Sequence, residues 1–193
     1  MTLRGTPYIY QGQELAMANV EFDSIEEMND VQSINFYKDA IRKGKNREKY
    51  FKLASIGSRD NARTPFQWSD SKNAGFTTGK PWLKINNDYR VYNAEDEASR
   101  DDSVLSFFKK AIKLRKDTKA LVYGDFIPAT TNKAPVYCYF REYEGEKYYI
   151  ELNLGKTPQP RPTGIYNYDL ILSTNENKTD ILKPFEGNIY RVK

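Results

Sequence analysis

Histidine is missing from this chain altogether, and cysteine occurs once, at Cys138. The first absence removes imidazole acid–base catalysis and histidine-ligated zinc. The second removes an internal disulfide and fits a reducing compartment. No apolar run approaches the ~18 residues that a membrane-spanning helix needs. The opening residues Met1-Thr2-Leu3-Arg4 hold no apolar signal core, so the expectation is a cytoplasmic protein with no membrane partner. Neither sign of charge dominates: 30 Lys and Arg against 26 Asp and Glu give +4 over 193 residues. The lysines are scattered among acidic residues and form no stripe, which argues against a nucleic-acid partner. With 29% charged residues and a mean hydropathy of −0.78, the chain reads as water-soluble, one ordinary domain or two small ones.

What is there changes character once. Residues 24–119 read as helices plus a long loop, and residues 120–193 as short strands. Ser24 with Glu27 forms a capping-box pattern ahead of Ile25, Met28, Val31, Ile34, Tyr37 and Ile41, which predicts one amphipathic helix ended by Gly44. Asn46 is placed to cap a second, through Tyr50, Phe51, Leu53, Ala54 and Ile56, closed by Gly57. A third is expected from Asp102 or Ser103 through Arg115. Its last turn holds Lys113, Arg115, Lys116 and Lys119, the sign that suits a helix C-terminus.

After Ala120 the period falls to two. Val136, Cys138 and Phe140 alternate with Tyr137, Tyr139 and Arg141. Glu144-Gly145-Glu146 makes a turn, and Tyr148, Ile150, Leu152 and Leu154 return on one face. Further strands are expected at 168–172 and 188–192, with a Pro-rich loop at 156–164, giving a small antiparallel sandwich with Cys138 buried as a small hydrophobe.

Two segments do not fit a self-sufficient domain. Pro7-Tyr8-Ile9-Tyr10 is apolar without alternation, as expected of a strand buried on both faces, yet no parallel partner precedes residue 120. Ser58 to Asp101, some 44 residues, shows no clear period. Loops beyond ~15 residues usually serve a site or cover another element. This one opens on Ser-Arg-Asp-Asn-Ala-Arg-Thr-Pro-Phe-Gln-Trp, Ser58 to Trp68, with two guanidinium groups around a polar trio. Arginine's planar fork holds several polar groups in fixed geometry.

That string comes after Gly-Thr-Pro-Tyr-Ile-Tyr-Gln-Gly-Gln-Glu, Gly5 to Glu14, and precedes Asn-Ala-Gly-Phe-Thr-Thr-Gly-Lys-Pro-Trp, Asn73 to Trp82. Together they resemble the oligo-1,6-glucosidase and α-glucosidase branch of the α-amylase superfamily of glycoside hydrolases. The likeness covers nearly the whole chain, most strongly Gly5 to Arg115. It implies an α+β chain: the eighth strand and last helices of an incomplete (β/α) barrel of the TIM type over 1–119, with a substrate-side loop at 58–101, then a C-terminal β-sandwich over 120–193. In such enzymes two carboxylates flank the scissile bond. By resemblance these, and a third carboxylate, belong to earlier barrel strands. No catalytic residue, metal site or cofactor is therefore assigned to this chain, and it is expected to be inactive alone.

What the resemblance leaves is binding apparatus for an α-glucoside oligosaccharide. Arg59 matches the arginine that bonds hydroxyls of the non-reducing glucose unit beside an aspartate from outside this chain. Arg63 braces the loop or reaches the next sugar. Gln32 stands where relatives often carry an acidic residue at the entrance, which leaves linkage preference open. Gln13 and Glu14 are expected to hold the barrel rim, and Trp68 and Trp82 to lock the loop or stack on sugar rings. Trehalose-6-phosphate hydrolase shares the Arg-Asp-Asn-x-Arg-Thr-Pro pattern and is the near alternative. A sugar-binding module, or an interaction protein that self-associates through residues 5–12, are the non-catalytic ones.

Overall fold

The computed structural model of the chain describes residues 1–129, 134–162, 167–175 and 179–193. It is α+β and divides into two compact units, one of Ile9–Phe108 and one joining Met1–Tyr8 to Lys109–Lys193.

Within Ile9–Phe108 the secondary structure is helical. Helices α1 (Val31–Arg42) and α2 (Arg47–Gly57) are joined by a short turn at Gly44, whose φ of 70° suits a residue without a Cβ. Asn46 caps α2 as expected, its side chain accepting from Lys49 N at 2.8 Å. The start of α1 differs from expectation. Ser24 begins only a 3₁₀ turn, Ile25–Glu27, without a side-chain cap, and Asp30 caps the helix proper. Glu27 Oε2 takes the amide of Asp23 at 2.9 Å and the ammonium of Lys84 at 3.1 Å. The apolar positions before Val31 serve a local cluster of Val20, Phe22 and Met28, against which Ile34 and Phe51 pack. Val31 itself lies 64% exposed, so the stripe turned to α2 begins at Ile34.

The long loop is ordered by turns and side-chain bonds. A 3₁₀ turn at Arg59–Ala62, another at Asn87–Arg90 and the short helix α3 (Ala94–Ala98) punctuate it. Gln67 is 1% exposed and its Nε2 donates to Asp88 Oδ1 at 2.7 Å and to Tyr92 O at 3.0 Å. Asn73 Nδ2 spans Thr77 O and Gly79 O, and the amides of Trp68 and Ser69 both reach Ala74 O. Helix α4 (Val104–Asp117) starts where expected, with Ser103 Oγ accepting from Ser106 N at 3.1 Å.

Thr6–Gln11, expected to be a paired strand only within a whole barrel, has no strand partner here. Residues 6–10 carry no regular structure, and Gln13–Leu15 is a single 3₁₀ turn. A strand needs a neighbour for its ladder, and no segment among the described residues lies alongside.

In the other unit, α5 (Lys119–Val122) leads into β1 (Asp125–Pro128), β2 (Val136–Tyr143), β3 (Glu146–Asn153), β4 (Gln159–Pro160), β5 (Tyr168–Ser173), β6 (Ile181–Leu182) and β7 (Gly187–Val192). The antiparallel region expected of 120–193 is a five-stranded sheet in the order β1-β2-β3-β7-β5 plus a β4–β6 ribbon. Glu144 and Gly145 both have positive φ and make the β2–β3 hairpin turn. Residues 156–162 of the Pro-rich loop are described; 163 and 164 lie outside the described residues.

Period two sorts the sheet's faces. Tyr139, Tyr148, Ile150 and Ile189 pack with Ala120 and Leu121 of α5 and with Leu114 of α4. Val136, Cys138, Tyr149 and Tyr190 pack with Leu182 of the ribbon. Cys138 is fully buried, as expected, and burial pushes its thiol up from its ordinary value. The second face also hides charge: Arg161 donates to Glu151 Oε1, to Glu186 Oε1 at 3.0 Å and to Tyr190 Oη at 2.7 Å. A buried pair of this kind is retained at a desolvation cost and is expensive to break.

Candidate substrate-binding site

The Arg59 turn and the start of α1 are held together by two interlocked carboxylates. Asp30, 2% exposed, caps α1 and takes three bonds from Arg59. The main-chain amide of Arg59 reaches Oδ2 at 3.1 Å, Nε reaches Oδ1 at 2.9 Å, and Nη2 also donates to Oδ1. Ser33 Oγ adds a bond to Oδ2 at 2.9 Å and Gln32 N one to Oδ1 at 3.2 Å. Asp60 answers from the turn: its Oδ2 accepts from the amides of Asn29 at 2.7 Å and Asp30 at 2.8 Å. Asp60 Oδ1 has no partner among the described residues.

The electrostatics derive from this geometry. The Arg59 guanidinium holds the Asp30 carboxyl well below the usual carboxylate range, aided by Ser33 and backbone donors and opposed by burial. Asp30 in turn raises Arg59. The Arg59 side chain is still 54% exposed, so part of its fork faces outward while the rest is fixed. This internal aspartate partner was not foreseen from sequence. The signal lay in the Asn29-Asp30 cap, masked by the stronger capping pattern at Ser24.

Arg63 lies exposed, and its guanidinium makes no hydrogen bond or ion pair among the described residues. Its carbonyl accepts from Trp82 Nε1 at 3.1 Å, and Asn29 Nδ2 donates to Trp82 O at 3.2 Å. Trp82 is thus locked at its polar edge and at its backbone while 68% of the residue stays exposed. A cavity of about 510 Å³ lies here, lined by Tyr10, Asn29, Asp60, Arg63 and Trp82 among others. Trp68 packs on Phe66 with ring centroids 4.6 Å apart and lines no part of that cavity. Gln32 sits exposed in the first turn of α1. Gln13 Oε1 accepts from Tyr10 N, and Glu14 Oε2 from Gly12 N at 2.8 Å, so both brace their own turn.

Asp30 is committed to Arg59, and Asp60 gives one carboxylate oxygen, Oδ2, to two amides while Oδ1 has no partner among the described residues. The pieces that stand ready are donors, the forks of Arg59 and Arg63, beside an aromatic face.

The catalytic-domain model of alpha amylase matches residues 1–124. The chain belongs to the alpha-amylase family of glycoside hydrolases. An oligo-1,6-glucosidase of Bacillus cereus is 37% identical over 99% of this chain. The trehalose-6-phosphate hydrolase of Escherichia coli K12 is 35% identical over 96% of it. The crystal structure of an isomaltulose synthase from Klebsiella sp. LX3 superposes with a TM-score of 0.90 over 100% of the chain at 36% identity. The chain spans about a third of the length of these alpha-amylase relatives: 36% of the first, 35% of the second and 36% of the third.

Proposed function

We propose that this chain supplies the substrate-side part of an alpha-amylase family enzyme that cleaves terminal α-glucosidic bonds of short isomalto- or malto-oligosaccharides. Arg59 carries the reading. A buried aspartate fixes two of its nitrogens and more than half of the side chain faces outward. That is the geometry of a preorganised donor for sugar hydroxyls. In this reading Arg63 serves the next sugar and Gln32 flanks the entrance. Residues 1–119 belong to the catalytic domain, as the end of its barrel, and 120–193 to a C-terminal β domain. In this reading the carboxylate pair that glycoside hydrolysis needs is supplied by further polypeptide.

The test pairs activity with binding. The chain is incubated with p-nitrophenyl α-glucoside and isomaltose, and saturation-transfer NMR is recorded with isomaltose and with cellobiose. The expected result is no turnover above background, with transfer to isomaltose and none to cellobiose. Turnover abolished by changing one of the chain's own acidic residues, or equal transfer to both sugars, overturns the assignment. A second reading, hydrolysis of trehalose 6-phosphate, draws on the Escherichia coli relative and on the unpaired guanidinium of Arg63, a group suited to phosphate. Tighter binding of trehalose 6-phosphate than of trehalose, lost in Arg63→Ala, favours it.

A further inference from the structure

We infer that Trp82 is a ring-stacking platform for a second sugar unit, next to the one that Arg59 binds, and so favours disaccharides over glucose. The inference rests on the α-glucoside reading above and adds a residue that the sequence pattern left between two roles.

Three observations carry it. The indole is held twice, by Nε1 to Arg63 O at 3.1 Å and by Asn29 Nδ2 to its own carbonyl at 3.2 Å. Both bonds use its polar edge and backbone; the Phe76 ring stands beside the indole, tilted by 36° with centroids 6.5 Å apart, and the residue is still 68% exposed. An exposed indole without such bonds turns freely and loses that freedom when a ligand binds; this one has already lost it. Next, Trp82 lines the cavity of about 510 Å³ that Asn29 and Arg63 also line, a volume in the range of small-molecule sites. Third, the polar groups around it match a pyranose. Arg63 lines the same cavity and offers a donor fork with no partner among the described residues, and an aromatic surface suits the apolar C–H face of the sugar. A phosphate alone would use Arg63 and leave the indole idle; an apolar peptide would leave the guanidinium unpaired. A hydroxylated ring with one apolar face uses both.

The link to Arg59 is structural. Asn29, which ties Trp82, and Asp30, which ties Arg59, are neighbours, and both of their amides are held by Asp60. The two sugar contacts therefore stand on one turn.

The experiment uses the full chain, ¹⁵N-labelled, so that the two tryptophan Nε1–H signals report separately, assigned with Trp82→Phe. Glucose, isomaltose and trehalose are titrated. Isomaltose is expected to shift the Trp82 signal and leave Trp68 unmoved. Trp82→Ala should weaken isomaltose binding about tenfold or more while leaving glucose binding unchanged, and Trp82→Phe should restore most of the loss. Arg59→Lys, in contrast, should weaken glucose and isomaltose alike. Isomaltose binding that depends on Arg59 but ignores Trp82 overturns the platform and leaves the parent reading standing. Absence of binding by any of these sugars overturns both. A Trp82 signal that moves only with protein concentration assigns the cavity to polypeptide and also overturns it. Amide dispersion equal to that of the unchanged chain shows that Trp82→Ala is folded.

Discussion

Arg59 and Asp30 show how a single pair sets both stability and site geometry. Arg59→Lys keeps the charge and loses the fork. A lysine cannot donate to Asp30 Oδ1 and to a sugar hydroxyl in one plane. In a complete enzyme containing this chain, kcat/KM for isomaltose is expected to fall by about two orders of magnitude. An unchanged value would make Arg59 a structural brace. Asp30 gives a pH signature. Its folded pKa is depressed below the ordinary value of 3.8, so it stabilises the fold at pH above that value. The contribution is lost as pH falls through the folded pKa, because only the ionised form pairs with Arg59. Glu186 is depressed as well, by Asn188, Lys183 N, Asn175 and Arg161 against burial, and adds to the same acid limb. Urea unfolding from pH 7 to pH 3 isolates the Asp30 share. Asp30→Asn keeps a capping oxygen but loses the charged acceptor of Arg59, so it should be less stable at pH 7 by about 2 kcal/mol, with a shallower acid limb. Parallel pH curves for the two proteins would remove Asp30 from the account.

The elements differ in how far the sequence announces them. Helix α2 and the β2–β3 hairpin are legible because each is specified locally: Asn46 and its apolar turn in one case, strict alternation about Glu144-Gly145 in the other. Helix α1 is legible in kind and wrong at its start, since Ser24 and Glu27 satisfy a capping pattern that the structure closes after one 3₁₀ turn. The long loop is illegible for a different reason. Its order comes from side-chain bonds of Gln67, Asn73, Asp88 and Asn93, some local and one joining Gln67 to Asp88, and such bonds leave no period. Arg115 and Arg141 went unread on the same grounds. The sequence places Arg115 only among the cations of a helix's last turn. It is 8% exposed and gives its guanidinium to the carbonyls of Met1, Leu3 and Gly5. Arg141, fully buried in β2, donates to Thr2 O, Gly124 O and Asp125 O. Together they clamp the first five residues through main-chain carbonyls, whatever the side chains there. Arg141→Met keeps the length and removes every donor, leaving three carbonyls unpaired beside the core. Stability is expected to fall by about 3 kcal/mol, with faster amide exchange at Thr2–Gly5. A loss below about 0.5 kcal/mol would show that water replaces the clamp.

For the molecule as a whole, the decisive contrast lies along residues 1–12. The first five are pinned by the two arginines, and the next stretch is bare: Tyr8 is 92% exposed, Tyr10 52% and Ile9 48%. Large side chains of this kind in one run are unusual on a monomer and mark surface that something covers. Main-chain groups of Thr6, Tyr8 and Ile9 that make no hydrogen bond among the described residues add an edge that another strand can pair. Burying those three side chains favours association by about 2 kcal/mol each before entropy is counted, and the clamped start lowers the cost of ordering the adjoining residues 6–10. In a longer family member, further polypeptide would cover the run; for the chain by itself, a second copy is the available cover. Light scattering should therefore show an apparent mass rising with concentration above the 22.4 kDa of one chain. Tyr8→Lys with Ile9→Lys should hold it at the monomer value, because charge at an edge opposes pairing. A monodisperse monomer whose Tyr8 to Tyr10 amides resist exchange would mean that the run has a partner within the chain, and the reading of it as an uncovered strand would fail.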